Sequence, residues 1–175
     1  MKKNIRNLLL FLIIIAALTA FLGFFNWLPF YMEEGIARRY SSIEEVKTKL
    51  KLKEVFVPSF FPQQYVWPPY EIIAQTKPFT SVIMKFRRIN GKPDALVICQ
   101  FSATASVPYC FPRMRQVSES TSYKMKGRLA ILEVGTCGHN EACSRMTWLE
   151  GRYRITVAVD APPFELVKIS ESMIQ

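Results

Sequence analysis

The densest cluster of chemically able side chains is Cys137-Gly-His-Asn-Glu-Ala-Cys143. Two thiolates, the His139 imidazole and the Glu141 carboxylate form a donor set that suits zinc, but their spacing fits no common zinc pattern. The haem-attachment signature Cys-x-x-Cys-His is absent, as is a Cys-x-x-Cys redox pair. An even cysteine number reads first as disulfides if the compartment is oxidising. The four are Cys99, Cys110, Cys137 and Cys143, and three pairings are open. Cys137 and Cys143 enclose a short polar loop, and Cys99 and Cys110 flank FSATASVP, a segment that can turn back on itself. Pairs 99–110 and 137–143 are therefore the first choice. No metal or cofactor is expected.

His139 is also the single histidine of the chain. A hydrolytic triad needs an imidazole beside a nucleophile and a carboxylate, and His139 sits in the expected disulfide loop. No Gly-x-Ser-x-Gly elbow is present. Glu44 and Glu45 are adjacent, so a glycosidase-like pair would need a partner from a distant segment. There is no glycine-rich phosphate loop. No catalytic residue is assigned.

The aromatic residues are more informative. Trp67-Pro68-Pro69-Tyr70, with Phe60, Phe61 and Tyr65, either seals the core or faces a partner or ligand. Tyr109, Phe111 and Pro112 beside Cys110 invite the same two readings, and exposure separates them. The candidate contact residues are Phe60, Phe61, Trp67, Tyr70 and Tyr109.

These groups need a compartment and a scaffold. Positions 7–32 carry no charge and are mostly Leu, Ile, Phe and Ala. A hydrocarbon core roughly 30 Å thick takes about 20 apolar helical residues, which predicts a transmembrane signal anchor over 8–31. Lys2, Lys3 and Arg6 keep residues 1–7 in the cytoplasm, and Trp27 and Tyr31 fall where interfacial aromatics belong. Ala16, Ala17 and Ala20 resemble a signal-peptidase site, but Leu18 suits it poorly and the apolar run continues beyond it. Residues 32–41 are read as a linker and 42–175 as one exported domain, periplasmic or extracellular, on a bacterial inner (cytoplasmic) membrane. The formal charge of +9 points to a solvated basic face. Its expected neighbours are membrane lipid and other proteins of a membrane complex, with no nucleic acid.

Within the domain, Ser42-x-x-Glu45 is a capping box opening a helix, IEEVKTKLKL. Pro58, Pro62, Pro68 and Pro69 then forbid a helix or central strand. Period-two segments follow at EIIAQT, SVIMKFRRI and ALVICQFSA, the last two forming a hairpin around Asn90-Gly91-Lys92-Pro93-Asp94. Further strands are expected at 122–126, 128–134, 144–149 and 152–159, with a turn at Glu150-Gly151. Pro162 and Pro163 open a final helix whose apolar positions are Phe164, Val167, Ile169 and Met173. Helix, strand meander, helix is an α+β antiparallel architecture.

Several of these segments carry a resemblance. VFVPSFFPQQY resembles the Pro-x-x-x-Pro-x-x-Tyr opening of a family of uncharacterised bacterial envelope domains. Gly135, Met146-Thr147-Trp148, Gly151-x-Tyr153 and ELVKISESM resemble its close. Such domains often follow one membrane helix, some in anti-sigma-factor-like proteins, and are similar in outline to lipoprotein-carrier domains. The resemblance implies a curved antiparallel sheet with helices against its concave side, and brings no catalytic residues. Four cysteines, a Trp-Pro-Pro turn and no cytoplasmic sigma-binding domain depart from that pattern. The expected function is a non-enzymatic accessory subunit or assembly factor of an envelope complex. The alternative is a sensory domain for a lipid or envelope component, and an enzyme using the cysteine loop comes third.

Overall fold

A computed structural model of the chain describes residues 13, 15–19, 37–105, 114–138 and 141–174. The chain divides into two compact units, Met1–Ala37 and Arg38–Gln175. In the first, residues 13 and 15–19 are helical. There the Thr19 hydroxyl donates back to the Ile15 and Ala16 carbonyls at 3.1 and 3.0 Å. The rest of the expected membrane helix lies outside the described residues. Among the described residues, no helix is long and apolar enough to cross a membrane.

The second unit is α+β. Its elements are β1 (Arg38–Tyr40), α1 (Ile43–Leu50), β2 (Glu71–Gln75), β3 (Ser81–Phe86), β4 (Leu96–Ser102) and β5 (Gln116–Met125). Then come β6 (Arg128–Thr136), β7 (Ala142–Glu150), β8 (Tyr153–Val159) and α2 (Pro163–Ser172). The eight strands form one antiparallel sheet in the order β1-β2-β3-β4-β8-β7-β6-β5. It consists of two four-stranded meanders joined where β4 pairs with β8, a departure from the single run of hairpins expected.

Register explains the core. Ile72, Met84, Ile98, Val157, Met146 and Leu132 lie opposite one another from strand to strand. Successive side chains alternate faces, so this row and its neighbours two residues away share one face. Ile43 and Val46 of α1, with Leu166, Ile169 and Met173 at α2, bury against it. The opposite face carries a smaller cluster of Val97, Cys99 and Phe101, flanked by Phe79 and Ile83.

The capping box of α1 forms with one change. Ser42 Oγ accepts from the Glu45 N–H at 3.1 Å, while the Glu45 carboxylate reaches back to the Ser41 N–H at 2.8 Å, one residue beyond the cap. The helix ends at Lys51 in the left-handed region, and the Leu52 N–H bonds the Lys47 carbonyl at 3.1 Å. In α2 the expected apolar positions Ile169 and Met173 are buried and Val167 packs partly against the core, but Phe164 departs from the stripe. Phe164 is 79% exposed, and Leu166 takes the buried position. Five residues from Ile169, Phe164 points well away from that face at 100° per residue, whereas Leu166, three residues away, stays on it.

The β3–β4 strands are shorter than the sequence suggests. Both were expected to flank 90–94 directly, but β3 stops at Phe86. Residues 87–89 leave β4 to bond the proline-rich segment. Val66 N–H donates to the Arg87 carbonyl at 2.8 Å and Ile89 N–H to the Gln64 carbonyl at 2.9 Å.

Candidate functional site

The proline-rich segment is irregular but firmly held. Without helix or ladder bonds of its own, its backbone must find partners elsewhere. At its start, Gln100 of β4, a fully buried amide, accepts from the Phe56 N–H and donates to the Glu54 carbonyl, both at 3.0 Å. Farther on, Tyr65 forms a β-bridge with Arg88. Tyr70 N–H then bonds the Lys85 carbonyl at 3.0 Å, just ahead of β2. The Trp67-Pro68 peptide is cis.

These bonds gather four rings. Phe61 meets Trp67 edge-on at 5.4 Å and Tyr65 at 6.1 Å, and packs on the fully buried Phe86 at 5.1 Å. Trp67 stacks on Phe86 at 5.8 Å. Core and surface readings therefore both apply to Trp67, which packs one face on Phe86 yet is 49% exposed. Phe60 (45%), Val66 (44%) and Ile89 (70%) also face solvent. Tyr70 is exposed at the margin. Its hydroxyl donates to Asp94, and Arg87 lies over its ring at 4.4 Å. Burial first, then the Asp94 carboxylate, pushes the Tyr70 phenol up to about 12. Tyr109, the fifth candidate contact, lies outside the described residues.

A charge network lies behind the aromatics. Asp160, at the end of β8 with its side chain 8% exposed, pairs with Arg88 at 3.1 Å and Lys92 at 2.8 Å. Lys92 also pairs with Glu141. Bonds to Asp160 and then Glu141 raise the Lys92 pKa. Arg88 in turn sits 6.0 Å from the Tyr65 ring, and burial is the main cause of the raised Tyr65 pKa. Leaving the buried Asp160 carboxylate without its cations would cost far more than the pairs contribute, so Arg88 and Lys92 hold the β3–β4 loop to the end of β8.

Cys137 and Cys143 form a disulfide, with Cα atoms 5.8 Å apart. Both sulfur-bearing residues are buried, and the bridge closes the β6–β7 hairpin. The Cys137 N–H donates to the Glu141 carbonyl at 2.9 Å. Glu141, weighed as a metal ligand, instead has its carboxylate on Lys92. Among the described residues no group of three metal-binding side chains comes together. Cys99 carries no free thiol. Its expected partner Cys110, and His139, lie outside the described residues. Glu45 is committed to Lys49 and Ser41, leaving Glu44 without an adjacent carboxylate free for paired chemistry.

Comparison with known proteins finds no matching family model, no similar curated protein and no matching solved structure. The motif residues are thus explained by this chain's own structure. Pro58 to Tyr65 leads into the aromatic group. Gly135 lies inside β6 rather than after a strand, opposite Val117 at a bulge in β5. Gly151, at φ +55°, opens the two-residue turn between β7 and β8, where a primed turn requires positive φ.

Gln100, Arg88 and Asp160 were not singled out from the sequence. Gln100 stands in an otherwise apolar strand, LVICQFS, and that polar intrusion was the one available signal. Arg88 and Asp160 are partners from distant segments, and no local pattern announces such a pair.

Proposed function

We propose that the chain is a non-enzymatic single-pass membrane protein. Its exported domain would act by contact, as an accessory subunit or assembly factor of an envelope membrane complex. The observation that carries this reading is the solvent exposure of four apolar residues, Phe60, Val66, Trp67 and Ile89, on two segments joined by backbone hydrogen bonds between 64–66 and 87–89. Rigid aromatic surface with a polar, charged rim is what interface centres are made of. Anchoring is supported by the uncharged run at 7–32 and by Ile13, Ile15 and Leu18, helical residues that face outward.

The test is affinity purification of the full chain from native membranes in mild detergent. Wild type should bring down membrane proteins in fixed ratio. Val66→Glu with Ile89→Glu, two changes at exposed positions, should lose them with stability altered by no more than about 0.5 kcal/mol each. Recovery of the wild-type protein alone would sink the subunit reading.

The sensory alternative has a ligand entering the concave face of a curved sheet. Against it stands the close packing of Met84, Ile98, Met146, Ile155 and Val157 beneath Leu166 and Ile169, all fully buried.

A further inference from the structure

A different part of the domain has room for a ligand. Between α1, the segment 53–57 and the residue that follows α2 lies a cavity of about 250 Å3. Its lining has two characters. Val55, Phe56, Val57 and Met173 are apolar, while Lys47 and Lys53 are two cationic residues against the single acidic Glu54. Among the described residues neither lysine is in an ion pair, whereas Lys49 on the same helix is held by Glu45.

The walls are built rather than left over. Gln100 fixes the backbone at Glu54 and Phe56 from the sheet side. The Ser59 hydroxyl donates to the Ser172 carbonyl at 2.9 Å, tying the same segment to α2. Lys51 in the left-handed region turns the chain at the end of α1, so that Lys53 returns to the same space as Lys47. These restraints tie the walls to the sheet and to α2, as in ligand pockets that are largely pre-formed.

We infer that this cavity binds the phosphate ester of an amphipathic molecule. Two ammonium groups offer six donors, more than the two oxygens of a carboxylate suit, and a phosphate ester presents more acceptors and up to two charges. Net charge favours the match, since two lysines outweigh Glu54 by one. Phe56 and Met173 then receive the first carbons of the ester. The volume is below the roughly 300–1,000 Å3 of sites that enclose a whole drug-sized ligand, so the remainder stays outside.

A phospholipid head group and a free phosphate share this chemistry. The lipid source rests on the membrane reading above, in which the uncharged run at 7–32 anchors the chain. The phosphate site itself does not depend on the subunit reading.

The test uses the full chain in a non-ionic detergent with 13C-methyl methionine. Met173 lines the cavity, while Met84 and Met146 are buried in the sheet core and report folding. Inorganic phosphate and dihexanoyl phosphatidate are titrated separately. A saturable shift of the Met173 methyl is expected, with Met84 and Met146 unmoved, and at least a ~10-fold weaker affinity in Lys47→Gln/Lys53→Gln. A response to inorganic phosphate would show that phosphate alone suffices. A response to the phosphatidate only would make the ligand a phospholipid. No saturable shift with either probe, or an unchanged shift in the double variant, overturns the inference.

Discussion

Gln100 and Phe56 are joined by a hydrogen bond from the Phe56 N–H to the Gln100 side-chain oxygen, 3.0 Å long and spanning 44 residues of sequence. Because the same amide donates to the Glu54 carbonyl, one buried side chain substitutes for a strand that the proline-rich segment cannot provide. Gln100→Leu keeps the volume and removes both bonds. It should cost about 2–3 kcal/mol, since two backbone groups lose partners at roughly 1–3 each and water recovers part of the loss. Urea unfolding measures this, and a loss below about 0.5 kcal/mol would show that the segment holds without the amide.

Gly135 touches the chain on the neighbouring strand. A methyl group there would lie 2.0 Å from the Gln116 carbonyl oxygen and 3.0 Å from its carbon, and backbone cannot step aside as a side chain can. Gly135→Ala should therefore cost about 3 kcal/mol, at the upper end of ordinary overpacking. Its amide exchange should quicken along β5 and β6 before the β4–β8 centre. Uniform loss of protection, or none, would contradict this account.

The Cys137–Cys143 bridge closes a loop of seven residues. The chain-entropy relation gives about 2 kcal/mol for that length. Replacing both cysteines by serine should lower stability by that amount in thermal unfolding. The sheet should stay intact, because register from Ala130 to Thr136 rests on ladder bonds to β7. Failure of the variant to fold would mean that the hairpin needs the bridge to form.

Acid should act on α1 through Glu45. Its bonds to Lys49 and then to Ser41 hold the carboxyl at about 2, well below its ordinary value. The folded pKa is depressed, so this support is complete above the unfolded value near 4.3 and disappears as pH falls from there through about 2. Exchange of the Ser41 amide should be constant between pH 5 and 7, after correction for intrinsic rates, and lose protection below about pH 4. Glu45→Gln should remove most of the pH response while keeping the helix. A flat profile in wild type would show that the carboxylate is not the cap.

What the sequence made legible follows from where large apolar side chains recur at every second position. Tyr153, Ile155, Val157 and Val159 alternate with less buried or smaller residues, and β8 lies where that alternation places it. β5 gave a signal only in its second half. Residues 116–121 are exposed on both faces, so no alternation marks them. β1 escaped notice for a related reason. Its three residues form a strand through pairing with β2, and their own charges suggested a linker. Within the candidate site, exposure split the aromatic group in a way composition could not. Phe61 packs into the centre, Trp67 lies half in it and half in solvent, and Phe60 and Val66 are exposed on the same few residues.

The joining of the two meanders has a consequence for how the chain is made. β4 is the most deeply enclosed strand, and every residue from Leu96 to Phe101 is buried. One of its two neighbours, β8, comes latest in sequence among the eight described strands. When the polypeptide is delivered amino end first, β1 to β4 complete their hairpins while the outer edge of β4 stays bare. An open apolar edge is a template for pairing with other chains, and the wait for a distant partner lengthens its exposure. Until β8 emerges and pairs with it, that bare edge of β4 is the most adhesive surface of the growing sheet.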